Sequence, residues 1–571
     1  MADPAAARRR APAQPAVARP RLQGAAPITG ATRFEHLTAN ADAGPVALTL
    51  TLAEAEPLRI GEPAPVGAAS PASVSRRTGR PPSTRPDAPG PGPTRRTRCT
   101  PQWPVRYFRY RTAREIGTQG SAIAGFLTPS VEHMTDNDFR QKYSGSTAPP
   151  NRADDGVVVT GIGVILPGTL TRDQFWENIS GGRSQVGRLT RFDGEQAGLP
   201  VYAAAEITDF DHHGFLPELP DAHAAKYSRE ILVVMSAVAQ ARRDAGLADG
   251  EVDPRRLGLV MSSSRGPSSW WREVLTGADP AAFGDKGAMF RGLPGCPASL
   301  SAIYTGAQGL VTTLSNACVG GHQAVGVALR ELRSGAADVM LVGGHEFPII
   351  PEVAACYRAM GHGVLSSERE DPSRAVRPYS ADREGFALGE GSVVLCLERA
   401  RHAAARGARV YAQVLSAASL NEAAHPTTMD LTGKVTAGVV EDALAQAGRS
   451  AADVDYLCAH GTATRYNDIA ESRALRALYP DRSVAQLPPL SSNKPIYGHT
   501  FGMAGIINVA ATSLMIHHQV IAPTINLTAT DPECDHDHVF EGPRPARVDL
   551  AVSMSFAFGS QTSVVTVGTP Q

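Results

Sequence analysis

The sequence predicts a layered α/β fold with buried sheets, and three observations carry that reading. Short apolar runs with β character alternate with amphipathic helical stretches, glycines close the helices, and the pattern starts again near Val410 to give two similar halves. The strand runs are apolar throughout, as strands covered on both faces are.

The first 150 residues stand apart. They carry 20 Lys plus Arg against 11 Asp plus Glu, net +9, and the rest 35 against 45, net −10, so the total of −1 hides two segments of opposite sign. As far as about Pro104 the chain is Ala, Pro, Arg and Gly with almost no sustained periodicity; it buries too little apolar surface to offset its ordering entropy, and residues 1–150 are expected to be disordered. The aromatic-basic octamer WPVRYFRY at 103–110 is too isolated to indicate nucleic acid. An arginine-rich leader is compatible with a transit peptide, but this one is proline-rich with few serines; the favoured reading is a translation start near Met134. Seven cysteines (Cys99, Cys296, Cys318, Cys356, Cys396, Cys458, Cys534) form no CxxC pair, which favours free thiols and a cytoplasmic location. No apolar run reaches the ~18 residues of a membrane span, and the nearest, 503–516, reads as a core helix.

Order begins at Val157. VVVTGIGVILPG reads as a strand that turns through Gly161, Gly163 and Gly168, after which Thr171 caps the short helix RDQFWENIS. This G-x-G lacks the third glycine and the spaced acidic residue of a dinucleotide site. Residues 227–246 read as a long apolar helix, 257–263 as a buried strand, and 265–309, with Trp270, Trp271 and Pro294, as irregular. TLSNACVGG leads into a helix whose Val325, Ala328, Leu329 and Leu332 share one face. Strands at 339–342 and 393–397 follow, separated by the glycine-spaced turn DREGFALGEG. The second half then opens with a strand at 410–415, a helix from Lys434 to Ala447 stopped by Gly448, and the strand VDYLCA.

Cys318 sits at a helix start, where the macrodipole and free N–H groups favour the thiolate, and Gly320 and Gly321 are expected to leave room for a substrate. A cysteine is by default a small packed hydrophobe, so its partners decide. HGTATRYNDIAES places His460 at a strand end, then Thr462 and Thr464, with Asp468 and Glu471 on the first turn of a helix. SSNKPIYGHTFGMAG places Lys494 and His499 in a glycine-rich turn that feeds the next helix. All lie where strands or turns meet helices, the usual place for sites in α/β proteins. A thiol, two imidazoles, a lysine and an acidic pair suit acyl transfer, because neutral imidazoles donate hydrogen bonds to a thioester carbonyl or a developing enolate. Two such donors suit carbon–carbon bond formation better than hydrolysis, and a cysteine hydrolase lacks an Asn or Asp placed to orient a histidine. The run DPECDHDH at 531–538 has closely spaced ligand types but no second cluster, so no metal is expected.

Four motifs, TLSNACVGG, HGTATRYNDIAE, SNKPIYGHTFGMAG and SFAFGS, in this order between Val157 and Val567, resemble the β-ketoacyl-acyl carrier protein synthases of type II fatty acid and polyketide assembly. The resemblance implies a thiolase-like fold, with residues 151–409 and 410–571 as two similar halves in five α-β-α-β-α layers. It implies Cys318 as the acylated nucleophile, the N–H groups of Cys318 and Phe558 as an oxyanion hole, and His460 and His499 promoting decarboxylation of a malonyl-carrier and holding the enolate. Lys494 paired with Glu471, with Asp468 in support, would position the site; Thr462 and Thr464 would contact the pantetheine arm, and Phe558 would gate acyl entry. The implied reaction is a decarboxylative Claisen condensation on substrates carried by the phosphopantetheine of an acyl carrier protein, with no further cofactor. The implied assembly is a homodimer, or a heterodimer with a chain-length-factor-like partner.

Two loops depart from the family pattern. GTAT replaces GTGT or GTST, an exchange of small residues expected to be tolerated and similar to that of polyene-type synthases. AFGSQT replaces GFGGTN and brings in Ala557, Ser560 and Gln561, which implies a stiffer gate or a different acyl preference. A non-elongating or chain-length-factor-like subunit is the alternative; such factors lack the cysteine, and Cys318 argues for an active subunit. Acyl carrier proteins are acidic, so a basic docking patch is expected, with Lys226 and Arg229 as candidates.

Overall fold

The computed structural model describes residues 155–570 apart from 278–283, 286 and 424. The expected disordered segment, the aromatic-basic octamer, the Met134 start and Cys99 lie outside the described residues.

Ten strands make one sheet whose two halves copy each other. The first half holds β1 (Val157–Ile165), β2 (Leu257–Ser262), β3 (Val311–Leu314), β4 (Val339–Glu346) and β5 (Gly391–Arg399). The second holds β6 (Ala412–Asn421), β7 (Tyr456–Cys458), β8 (Leu490–Ser491), β9 (Leu550–Ala557) and β10 (Gln561–Gly568). The spatial order is β3-β2-β4-β5-β1-β6-β10-β9-β7-β8, so each half, read outward from the middle, runs first, fifth, fourth, second, third strand. In both halves the second strand pairs parallel with the third and fourth, while fourth with fifth and fifth with first are antiparallel. Val157–Val159 of β1 pair antiparallel with Ala412–Val414 of β6 and join the halves.

The helices that bear on the layers and the site are α1 (Arg172–Ser180), α2 (Arg229–Asp244), α3 (Ser268–Thr276), α4 (Cys296–Thr305), α5 (Gly320–Ser334), α6 (Pro351–Arg358), α7 (Lys434–Gln446), α8 (Arg465–Leu478), α9 (Lys494–Tyr497) and α10 (Ala504–His518). The period-2 alternation of the strands decides which of them each face receives. Met340, Val342, Val393 and Leu395 face an inner core shared with α5 and α10, while Val339, Leu341, Val394 and Cys396 face outward onto α2. In the second half Ala551, Val565 and Val567 face the same inner core, and Leu550, Val552, Met554 and Val564 face out towards α7 and α8. Helices α5 and α10 pack on each other and on strands of both halves. The layers are therefore α-β-α-β-α, the thiolase-like arrangement. Central position explains why α10 is buried on every side from Ala504 to Ile516, and each large aliphatic side chain so buried contributes about 1.5–3 kcal/mol.

Three local expectations need correction. Gly161 and Gly163 do not turn the chain; they lie inside β1, where a Cβ would come within 2.1 Å of Ala241 O and 1.9 Å of Ala237 O, so they let α2 approach the sheet. Residues 265–309 are largely helical, holding α3 and α4; the tryptophans and Pro294 concealed the short periodic stretches. Gly320 and Gly321 do not open a path for substrate. A Cβ on Gly320 would lie 2.3 Å from Ser262 Oγ and one on Gly321 2.8 Å from Ile506 N, so Gly320 lets α5 approach β2 and Gly321 lets it approach α10. Thr171 caps α1 as expected, accepting from Gln174 N–H.

Candidate active site

The duplicated topology brings corresponding loops together at one end of the sheets. Cys318 follows the third strand of the first half, in the turn Ala317–Val319 before α5, and Lys494 and His499 follow the third strand of the second half, before α10. His460 follows the second strand, β7, and Phe558 sits in the β9–β10 hairpin. Ala317, Tyr379, Ala463, Phe501 and Ser560 all have φ between +43° and +64°, a left-handed conformation that costs a non-glycine residue about 1–2 kcal/mol. Such strain persists where surrounding contacts over-determine the backbone; Ala317 directly precedes Cys318, and Phe501 shares an apolar cluster with it.

Cys318 is only 5% exposed, and its Sγ lies 3.3 Å from His499 Nε2. Phe501 N–H donates to His499 Nδ1 at 3.2 Å, so the ring proton of neutral His499 resides on Nε2, facing the sulfur. Lys494 Nζ donates to the carbonyl of His460 and lies 3.3 Å from His460 Nδ1, which likewise leaves the proton of His460 on Nε2. The two imidazoles stand edge to face with centroids 5.5 Å apart. Burial, reinforced by the charge on Lys494, holds both far below the usual histidine range, so both are neutral donors at pH 7. Sγ and one nitrogen from each ring lie within 4.8 Å of one another. In its tautomer His499 turns an N–H rather than a lone pair towards the sulfur, an arrangement for holding an oxyanion rather than a metal ion.

The acidic pair acts differently from the expectation. Glu471 makes no ion pair with Lys494 among the described residues. Its carboxylate accepts from His460 N–H (2.7 Å), Gly461 N–H (2.9 Å) and Tyr379 Oη–H (2.7 Å), and it lies on the second turn of α8, not the first. Asp468 accepts from Tyr379 N–H (2.9 Å) and Thr462 N–H (3.1 Å). The two carboxylates, three residues apart on α8, thus hold the His460 loop and Tyr379 together, and Glu471 reaches Lys494 only through its charge. Burial pushes Glu471 up to about 7 and Lys494 down to about 8.

The thiol also departs from expectation. Burial pushes Cys318 up to about 12, with Lys494 and Arg265 pulling the other way, so the resting group is a thiol; desolvation outweighs the helix terminus. Thr462 and Thr464 share a hydroxyl hydrogen bond of 2.8 Å beside His460. Ala463 between them has φ +61°, so the variable position of the GTAT motif is one where a left-handed backbone is required.

Phe558 is 39% exposed and its ring lies 6.3 Å from Tyr357, which stacks on Phe501 at 5.2 Å. Phe501 in turn stacks on His499 at 4.4 Å, and Phe386 meets His499 edge to face at 4.9 Å. Tyr357, Phe386 and Phe501, with Tyr379, Arg265 and Glu346, were not singled out from the sequence; the nearest signals were the glycine-spaced turn that holds Phe386 and the HTFG run that holds Phe501. Of the docking candidates, Arg229 is engaged, donating to Ile207 O at 2.6 Å and to Glu390 at 3.2 Å; Lys226 lies just before α2, and its carbonyl accepts from Arg291. The DPECDHDH residues serve the fold: Asp531 accepts from Arg383, Asp537 from Arg544, and His538 Nε2 donates to Cys534 O.

A buried thiol facing two neutral imidazole donors on a duplicated five-layer fold defines an acyl-transferring condensing enzyme. The chain belongs to the β-ketoacyl synthase family: the models of its N-terminal and C-terminal domains match residues 154–403 and 411–528. It is 34% identical over 434 residues to the tetracenomycin polyketide synthase ketoacyl synthase alpha subunit of Streptomyces glaucescens, covering 73% of this chain and 98% of that one. Two solved structures resemble it with a TM-score of 0.66, each covering 73% of this chain and all of its own. One is the ishigamide ketosynthase/chain length factor, 31% identical; the other, 29% identical, is a type II polyketide synthase acyl-carrier protein in complex with its ketosynthase bound to a hexaketide.

Proposed function

We propose that the chain is the condensing subunit of a type II polyketide synthase, catalysing decarboxylative condensation of an acyl thioester with malonyl-acyl carrier protein. The observation that carries this reading is the Nε2–H of neutral His499 at 3.3 Å from Cys318 Sγ, with a ring nitrogen of neutral His460 within 4.8 Å.

In the first half-reaction Cys318 sulfur attacks the acyl thioester. A C–S bond forms to Cys318, the donor's C–S bond breaks, and the thiol proton leaves with the carrier thiol. The N–H groups of Cys318 and Phe558 receive the oxyanion. In the second, malonyl-carrier loses carbon dioxide, and the electron pair forms an enolate whose oxygen takes the Nε2–H bonds of His460 and His499. The enolate carbon attacks the acyl carbonyl, the new C–C bond expels Cys318 as thiolate, and one proton from solvent restores the thiol. Lys494 fixes the His460 tautomer, Glu471 and Asp468 hold the loop, Thr462 and Thr464 meet the pantetheine arm, and Phe558 controls acyl entry. No cofactor beyond the carrier's phosphopantetheine is required.

The names of the relatives support polyketide assembly, an acyl carrier protein as partner, and a dimer with itself or with a chain-length-factor-like subunit. The free, unpaired thiols of the described residues support a cytoplasmic setting, and no helix among them is long and apolar enough to cross a membrane. Incubation with acyl-carrier and malonyl-carrier, followed by intact-mass measurement of both proteins, tests the reading. An adduct on Cys318 followed by a β-ketoacyl-carrier product is expected; a folded protein without the adduct defeats it.

A further inference from the structure

Strands β2 and β3 are parallel neighbours, so the loops that follow them run side by side, tied by Ser315 Oγ–H donating to Ser264 O at 3.3 Å. The β3 loop carries Cys318 and the β2 loop carries Arg265. In the second half the loop after the corresponding strand, β7, carries His460. The duplication therefore places Arg265 at the counterpart of a position that faces the nucleophile.

The guanidinium of Arg265 lies 4.4 Å from the ring centroid of Phe501 and 5.3 Å from that of Tyr357, and donates to Tyr357 Oη and, at 2.8 Å, to Ser264 Oγ. Phe501, Tyr357, Phe386, Leu365 and Ile349 form one apolar cluster with Cys318 itself. An acyl chain leaving Sγ meets this cluster, and Arg265 puts a cation in its wall. Glu346 supplies partial compensation at 3.6 Å, but its other oxygen is occupied by Ser264 and by Gly502 N–H, and a quarter of the Arg265 side chain stays exposed. The cation is close enough to lower both the Cys318 thiol and His499. A pocket for saturated chains gains nothing from such a group, because an alkyl chain laid against it desolvates charge without return. A chain oxygen in the same place accepts a charge-assisted hydrogen bond, and a site built to bond an oxygen rejects the analogue that lacks it.

We propose that Arg265 determines acyl specificity, binding a carbonyl oxygen of the chain on Cys318 and so selecting oxo-acyl over saturated groups. This rests on Cys318 being the acylated nucleophile. The test uses the full chain, without any malonyl donor, and follows Cys318 adducts by intact mass with 3-oxohexanoyl and hexanoyl pantetheine thioesters. The native enzyme is expected to load the oxo-acyl group at least about tenfold faster; Arg265→Leu brings the two rates within about twofold through slower oxo-acyl loading, and Arg265→Lys keeps most of the preference. Arg265→Lys retains the charge and keeps the test decisive if Arg265→Leu fails to fold: its preference must persist. Equal loading by the native enzyme, or an undiminished preference in folded Arg265→Leu, overturns the proposal while leaving the condensing function intact. Absence of any adduct on Cys318 with either donor overturns both.

Discussion

The side-chain amides of Asn316 and Gln561 grip each other through two hydrogen bonds, Gln561 Nε2–H to Asn316 Oδ1 at 3.0 Å and Asn316 Nδ2–H to Gln561 Oε1 at 3.1 Å. Asn316 stands two residues before Cys318 and Gln561 three residues after Phe558, so the pair fastens the aromatic hairpin to the Cys318 segment. Ser560, another departure of the same loop, accepts from His425 N–H at 2.8 Å and ties the hairpin to the chain after β6. Two of the loop's departures from the family pattern, Ser560 and Gln561, thus each hold the hairpin through side-chain hydrogen bonds.

Replacing Gln561 with alanine removes both amide bonds and leaves a part-buried Asn316 with fewer partners, a loss of about 1–3 kcal/mol. Hydrogen exchange of the 557–561 amides is expected to accelerate several-fold while that of α5 and α10 is unchanged. Unchanged exchange in the hairpin would show that the pair does not hold it.

The strand–helix alternation and the catalytic motifs were legible because both are written locally: period-2 and period-3.6 patterns, and chemistry-bearing residues at strand ends. The layer order required contacts between α5, α10 and both halves, which no local pattern encodes. The roles of Gly320 and Gly321 were misread for a related reason, since in sequence a glycine pair beside a nucleophile looks the same whether it admits a substrate or a neighbouring helix. Tyr379, Arg265 and Glu346 carry no motif of their own: Tyr379 enters through the long connection between α6 and β5, while Arg265, three residues after β2, and Glu346, at the end of β4, look in sequence like ordinary strand-end residues, and the thiol was misjudged because burial cannot be read from a helix start.

Glu230 is a buried carboxyl on α2 with one oxygen lacking a hydrogen-bond partner; burial, with Glu390 adding to it, pushes it up to about 8. Between its ordinary unfolded value near 4.5 and about 8 the native state holds a proton the unfolded state has released, so stability falls as pH rises through that window. Glu230→Gln is expected to flatten the fall and to be more stable than the native chain at pH 8 by about 4 kcal/mol, with little difference at pH 4.5. Urea midpoints at the two pH values measure it; an equal difference at both would sink the assignment.

Lys494 is held down to about 8 by burial, and its charge is the largest of those lowering the Cys318 thiol. Acyl loading is expected to rise with pH between 6 and 8 as the thiolate fraction grows, then to rise less steeply as Lys494 loses its proton. Lys494→Met is expected to load about 10- to 100-fold more slowly at pH 7.5 and to lose the break near pH 8. Stopped-time mass measurements of the Cys318 adduct give the profile, and a break that survives the substitution would assign it to another group.

His460 and His499 are both neutral donors, yet only His499 touches the sulfur, and the two differ in what fixes them: a backbone N–H for His499, the Lys494 ammonium for His460. If their shared task is to hold the enolate oxygen, each bond matters chiefly when negative charge develops there, and losing one donor from such a pair typically costs about 10²–10³ in rate. His460→Ala is therefore expected to lower malonyl decarboxylation and condensation by that factor while leaving acyl loading within about threefold of native. His499→Ala should slow both steps, because it also removes the group beside Sγ. Glu471→Gln separates position from donation: it keeps both imidazoles but weakens the acceptor for the His460 and Gly461 N–H groups, so condensation is expected to fall by about tenfold. Single-turnover loading, followed by release of labelled carbon dioxide, resolves the two steps. Equal losses in loading and condensation for His460→Ala would place that imidazole at the acylation step and remove it from the enolate site.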